Sequence, residues 1–183
     1  RSPSRGLGDV YKRQGVTCTE RDPHAEKKIM DMIRYPERLT YAGRLDKDSE
    51  GLILLTNDGD LINAMMRGAN RHEKEYIVKT DREITPDFLE KMAKGIYLKD
   101  LDITTRECEI EQIGKFTFRI VLTQGVNRQI RRMCEACGAK VRSLKRIRVM
   151  NIRLGDLKPG EWREVTGEEL ETLLTDTGML NRK

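Results

Sequence analysis

Aromatic residues are scarce in this 183-residue chain: one Trp, five Tyr and three Phe, against 36% charged residues. Nowhere do about 20 apolar residues run together, which excludes a helical membrane span. Nothing near the N-terminus joins a basic start to an apolar stretch and a small-residue cleavage site, so secretion has no support and the cytoplasm is the expected compartment. Histidine is limited to His24 and His72, and cysteine to Cys18, Cys108, Cys134 and Cys137. A chain of this length needs no disulfide staples, so the thiols are expected to be reduced. Cys134 and Cys137 form a lone C-x-x-C. With no second ligand pair and both histidines distant, it supports neither a redox nor a zinc protein. What remains is one compact domain with a real core, with room for at most a small appendage.

One stretch lacks negative charge. Residues 128 to 153 hold nine basic side chains and a single acidic one, Glu135, for +8 within a net +5, leaving the rest of the chain at −3. Solvated charged faces usually mix both signs, so this concentration points to a polyanion, and nucleic acid is the expected partner.

The apolar spacing predicts alternating helices and strands. Residues 1 to 14 show no periodicity and read as a leader, the character of the chain changing at Gly15. A helix is expected over about 24 to 34, a buried strand at 52 to 55, a turn at 57 to 59, a helix at 60 to 67 and a strand at 74 to 80. Thr85 and Pro86 open a helix that stops at Gly95. Residues 102 to 112 and 115 to 122 read as a hairpin turning at Gly114, with a helix at 127 to 137 and strands at 140 to 154 and 162 to 165 beyond it. Thr166 and Glu169 fit a capping box before a last helix. The sum is α+β, with an antiparallel or mixed sheet flanked by helices and no βαβ rhythm.

For chemistry, Asp46 lies in a polar loop, GRLDKDSEG, delivered straight into the buried strand. A carboxylate fixed this way can serve as nucleophile or base, and a nearby arginine would keep it ionised. Asp48 and Glu50 are equal rivals on these grounds, and an acidic turn with capping duties is the plain alternative.

Gly43-Arg44-Leu45-Asp46, followed by SEGLILLTNDG over 49 to 59, resembles the signature loop and strand of RsuA-type pseudouridine synthases, the group of RluB, RluE and RluF. Lys74-Glu75-Tyr76 resembles that family's K-x-Y strand, and QGVNRQIRRM over 124 to 133 its basic helix motif. Residues 138 to 154, then GEWR at 160 to 163 and the segment from Thr166 to Leu170, continue in family order, with the tail most similar to the RluF branch.

The resemblance implies a pseudouridine synthase catalytic domain over 15 to 176 with a C-terminal tail at 177 to 183. It makes residues 1 to 14 a non-family leader replacing the family's Lys-Pro strand, and leaves the usual N-terminal S4-type RNA-binding domain absent. It implies isomerisation of a uridine in ribosomal RNA, large-subunit RNA first, with transfer RNA as a second candidate, by a monomer that uses no cofactor or metal. Asp46 becomes the catalytic carboxylate, attacking ribose C1′ or taking the 2′ proton; Arg131 its ionic partner; and Tyr76 the residue stacked on uracil and a candidate to help remove the C5 proton late in the reaction. Arg44 would fill the gap left by a flipped base. Leu144 would line the uracil pocket. Lys74, Arg128, Gln129, Arg132, Lys145, Arg146 and Arg148 would contact RNA, mostly at phosphates. The rival from another class is a non-catalytic RNA-binding module or assembly factor that keeps the basic surface.

Overall fold

The computed structural model describes residues 8–12 and 39–180. The helix expected at 24 to 34, and the segment 15 to 19, lie outside them. Seven strands run across one large mixed sheet in the order β11 (Trp162–Glu164), β1 (Gly8–Lys12), β3 (Glu50–Thr56), β9 (Val141–Val149), β4 (Lys74–Thr80), β8 (Thr117–Leu122), β7 (Glu109–Gly114). Two short strands attach at the side: β2 (Thr40–Tyr41) on β3 and β10 (Ile152–Arg153) on β9. The residues read as an aperiodic leader therefore contribute a strand, since Gly8–Lys12 pairs antiparallel with both β3 and β11. Those partners are remote in sequence, and long-range pairing, not local pattern, forms this strand.

Local chemistry sets most other elements. In β3 every residue after Glu50 is buried, the continuous apolar run of a strand covered on both faces. The Asp58 side chain accepts from the Leu61 N–H and caps α1 (Gly59–Met66). Thr85 accepts from the Phe88 N–H, Pro86 takes the first position of α2 (Pro86–Lys94), and Gly95 ends it at a φ of 106°. The long hairpin arm expected from 102 is shorter than its apolar pattern suggested. Ile103–Thr104 (β6) pairs instead with Tyr97–Leu98 (β5), in a separate two-stranded sheet. The helix α3 occupies Gln129–Ala136, and the segment 140 to 154 breaks into β9 and β10 across a turn at Met150, φ 54°. The last helix, α4 (Gly167–Asp176), begins at Thr166 without a side-chain cap, and the Glu169 carboxylate pairs with Arg163 at 2.7 and 3.0 Å. The capping box does not form.

Two apolar clusters hold the sheet. One gathers Leu52, Leu54, Leu61, Val149, Ile152, Leu170 and Leu173 under α1 and α4. The other gathers Val78, Phe88, Met92, Phe118, Ile120, Met133 and Leu144 under α2 and α3. Strand β9 serves both, giving Leu144 to one and Val149 to the other. The clusters meet where β3 pairs parallel with β9, Glu50 opposite Lys145 and Gly51 opposite Arg146. Gly51 has a φ of 122°, and a Cβ there would stand 2.2 Å from the Arg146 carbonyl oxygen, so only glycine permits this close approach. Among the described residues no helix is long and apolar enough to cross a membrane.

Candidate active site

The acidic loop ends at this parallel junction. The Ser49 N–H donates to the Asp46 carbonyl at 3.0 Å, closing a turn, while Leu45 and Ser49 are buried on either side. The loop's backbone is thereby fixed and the Asp46 carboxylate is left about one-third exposed, at 35%. It opens on a cavity of about 370 Å³, within the range of small-molecule sites. Strands β4 and β9 form the floor with Lys74, Tyr76, Leu144 and Arg146; α3 and the loop before it supply Arg128, Gln129 and Arg131; the end of α1 and the chain beyond it supply Met66, Arg67 and His72. Nine of the twelve residues singled out from sequence thus surround one cavity, Arg44 among them.

Arg131 does not pair with Asp46. Its Nη2 donates to the Asp48 carbonyl at 2.9 Å and to Ser49 Oγ at 3.2 Å, and lies 3.6 Å from the Asp48 carboxylate. The guanidinium facing Asp46 is that of Arg128, at 3.5 Å, and it also forms a two-point pair with Asp48 at 3.1 and 3.1 Å. Arg128 reaches there because it sits just before α3 with a left-handed backbone, φ 50°, which swings its side chain away from the direction the helix would give. The hydrogen bond from Arg128 outweighs the opposing effect of burial and, joined by the charges of Arg131 and Arg128, holds the Asp48 carboxyl below its ordinary range. Arg131 thus clamps the loop that carries Asp46, and Arg128 supplies the adjoining charge.

Three basic residues expected at phosphates are otherwise engaged. Arg146 is 2% exposed and donates twice to the Leu52 carbonyl, at 2.9 and 2.8 Å, and once to that of Arg44, at 3.5 Å. It ties β9 to β3 and the loop. Arg148 belongs to the opposite face. An irregularity in the ladder between Glu75 and Tyr76 sets Arg146 against Tyr76 and Arg148 against Glu75, so two arginines two residues apart diverge. Arg148 donates to Glu75 at 2.7 Å, to Glu73 at 3.1 Å and to the Met150 carbonyl at 2.7 Å. Burial would raise the Glu75 carboxyl, but Arg148 and Arg119 outweigh it and hold that group low. Lys145 alternates with Leu144 and Arg146 and lies outside the cavity, as does Arg132, which donates to the Asn127 carbonyl at 2.9 Å. Gln129 lines the cavity but is buried and bonded to Gln124 at 3.2 Å, an internal brace in place of a phosphate contact.

Sequence reasoning missed Asp48 as the anchor of both arginines, and it missed Met66, Arg67 and His72. Of the last three only His72 carried a signal, its position two residues before the K-x-Y strand. Among the described residues no thiol lines the cavity. Burial pushes Cys134 up to about 12, the opposite of what a reactive thiolate requires.

Comparison with known proteins agrees with this arrangement. Residues 9–136 match the family model described as RNA pseudouridylate synthase, so the match begins inside the segment first read as a leader. The chain is 45% identical over 161 residues to the dual-specificity RNA pseudouridine synthase RluF of Escherichia coli (strain K12), covering 88% of this chain and 54% of that protein. It is 33% identical over 176 residues to the ribosomal large subunit pseudouridine synthase B of Bacillus subtilis (strain 168), covering 92% of this chain and 72% of that one. A crystal structure of a pseudouridylate synthase superimposes with a TM-score of 0.86 at 29% identity, covering 92% of this chain and 73% of the other. The chain spans about half the length of the RluF proteins it matches. Motif, cavity and architecture coincide, and the chain belongs to the RNA pseudouridylate synthase family.

Proposed function

We propose that this chain converts a uridine of ribosomal RNA, large-subunit RNA first, to pseudouridine, with Asp46 as the catalytic carboxylate. The observation that carries the reading is a carboxylate on a clamped loop at the mouth of a cavity of about 370 Å³ floored by Tyr76 and Leu144, with Arg128 3.5 Å away. Isomerisation breaks the N1–C1′ bond, turns the freed uracil and joins C5 to C1′. Asp46 either attacks C1′ or removes the 2′ proton; both routes use the carboxylate anion, with the Arg128 guanidinium 3.5 Å away. Tyr76 stacks on the base. The uridine must leave its helix to enter, which costs a few kcal/mol, and the exposed Arg44 beside the loop is suited to occupy the gap. Arg44 and Arg128 at the rim meet phosphates. Transfer RNA is a second candidate substrate, supported by the dual specificity in the RluF name. A monomer is the proposed form, and the cytoplasm is the proposed compartment because its RNA substrates are there.

Asp46→Asn tests the reading by pseudouridine mapping of ribosomal RNA. Product is expected to fall below a few per cent while RNA affinity stays within about threefold, since phosphate contacts lie elsewhere. A folded variant that keeps substantial turnover would remove Asp46 from the catalytic role, and absence of product from the unaltered chain would return it to the class of RNA-binding modules.

A further inference from the structure

Among the lysine and arginine side chains of the cavity, Lys74 is set apart by being half-buried without a partner, whereas Arg44 and Arg67 are exposed. It lies two residues from Tyr76 on β4 and so shares its face, with Leu122 and Val149 opposite it on the flanking strands. The side chain is half-buried in the floor, whereas Arg44 is exposed at the rim. Among the described residues its ammonium makes no hydrogen bond and no ion pair. The other cation of the floor, Arg146, already gives its N–H groups to the Leu52 and Arg44 carbonyls. His72 and Glu73 approach from the chain before β4, Asp46 from the loop, and Arg128 and Arg131 from the α3 side. Burial first, and then the charge of Arg146, push Lys74 down to about 8. A desolvated, unpaired ammonium beside another cation is unfavourable in the empty protein, which marks it as a functional group.

We infer that Lys74 is a catalytic residue that touches the base: its ammonium donates a hydrogen bond to a carbonyl oxygen of the target uracil and carries part of the charge that develops there. This rests on the isomerase reading. When the N1–C1′ bond breaks, its electron pair stays on N1 and spreads to the ring's two carbonyl oxygens. The ammonium keeps its proton throughout, opposing that charge from the half-buried floor of the cavity. After C5 bonds to C1′, the C5 hydrogen leaves as a proton to water and N1 takes one up from water, giving the neutral product. A phosphate-binding lysine would sit at the rim; one on the floor next to the stacking residue meets the base.

The test compares the full chain with Lys74→Met and Lys74→Arg, measuring single-turnover conversion and RNA affinity separately from about pH 6 to 10. Turnover of the unaltered chain is expected to fall as pH rises through about 8, where the ammonium is lost. Lys74→Met is expected to lose about 100-fold in kcat at unchanged affinity, as removal of one charge-stabilising donor does. Lys74→Arg is expected to stay within about tenfold and to lose the alkaline fall, because arginine remains charged. A second readout needs no turnover: the Lys74 Nζ resonance of 15N-lysine-labelled protein, titrated with and without uridine 5′-monophosphate, is expected to move its midpoint upward with the nucleotide. Full kcat in Lys74→Met, a pure affinity loss, or a midpoint unmoved by nucleotide would each overturn the assignment. Absence of product from the unaltered chain would overturn the isomerase reading instead, and the nucleotide titration would still decide Lys74.

Discussion

The arginines around α3 and those of β9 come from one basic stretch and look alike in sequence, yet they do opposite things. Arg128 and Arg131 converge on the loop of Asp46 and Asp48, across the cavity mouth. Arg146 and Arg148 turn toward the protein's own carbonyls and carboxylates and serve as fasteners. Charge density therefore measures how much cation a segment holds, and the backbone decides how much of it an RNA can reach. A strand in the middle of a sheet has neighbours on both edges and both faces, so its cations must find internal partners or be desolvated alone. Residues at a helix entrance face the cleft.

The contrast breaks most visibly at Arg146. Arg146→Met is expected to cost about 3 kcal/mol of stability, because it leaves the Leu52 carbonyl buried without its donors. Urea unfolding should show a lower midpoint at unchanged slope; an unaltered midpoint would make Arg146 an RNA contact after all. At α3, Arg131→Ala should lower kcat about 30-fold, some 2 kcal/mol, with RNA affinity nearly kept, since it frees the loop that aims Asp46. Comparable loss of affinity would erase the distinction between clamp and rim. The smallest effects sharpen it further. Arg128→Ala should reduce the salt dependence of RNA binding by about one phosphate contact, while Lys145→Ala should leave that dependence unchanged. Filter binding at several salt concentrations separates the two, and equal slopes would place both on the same RNA surface.

Much of this was legible in the chain. The Thr85-Pro86 start and Gly95 stop bounded α2, and alternation in KEYIVKT found β4 to the residue. The loop motif delivered Asp46, and the spacing of Lys74 from Tyr76 put both on one face of a strand. What stayed hidden depended on contacts between distant segments. Alternation alone puts Arg146 and Arg148 on one face; the irregular pairing with β4 separates them, and nothing local announces it. The choice of Arg128 over Arg131 as the partner of Asp46 turns on one left-handed residue before α3. Gly8–Lys12 becomes a strand because β3 and β11 are there to pair with it.

The sharing of β9 between the two apolar clusters has a consequence for how the protein melts. Neither half can open without withdrawing the strand on which the other is built, so the two halves form a single cooperative unit. Local weakness is then not confined to where it arises. A loosened contact under α4 reduces the free energy available to keep Tyr76 and Leu144 in place at the far cluster, and a carboxylate loop seated at the junction is protected by the stability of the whole sheet.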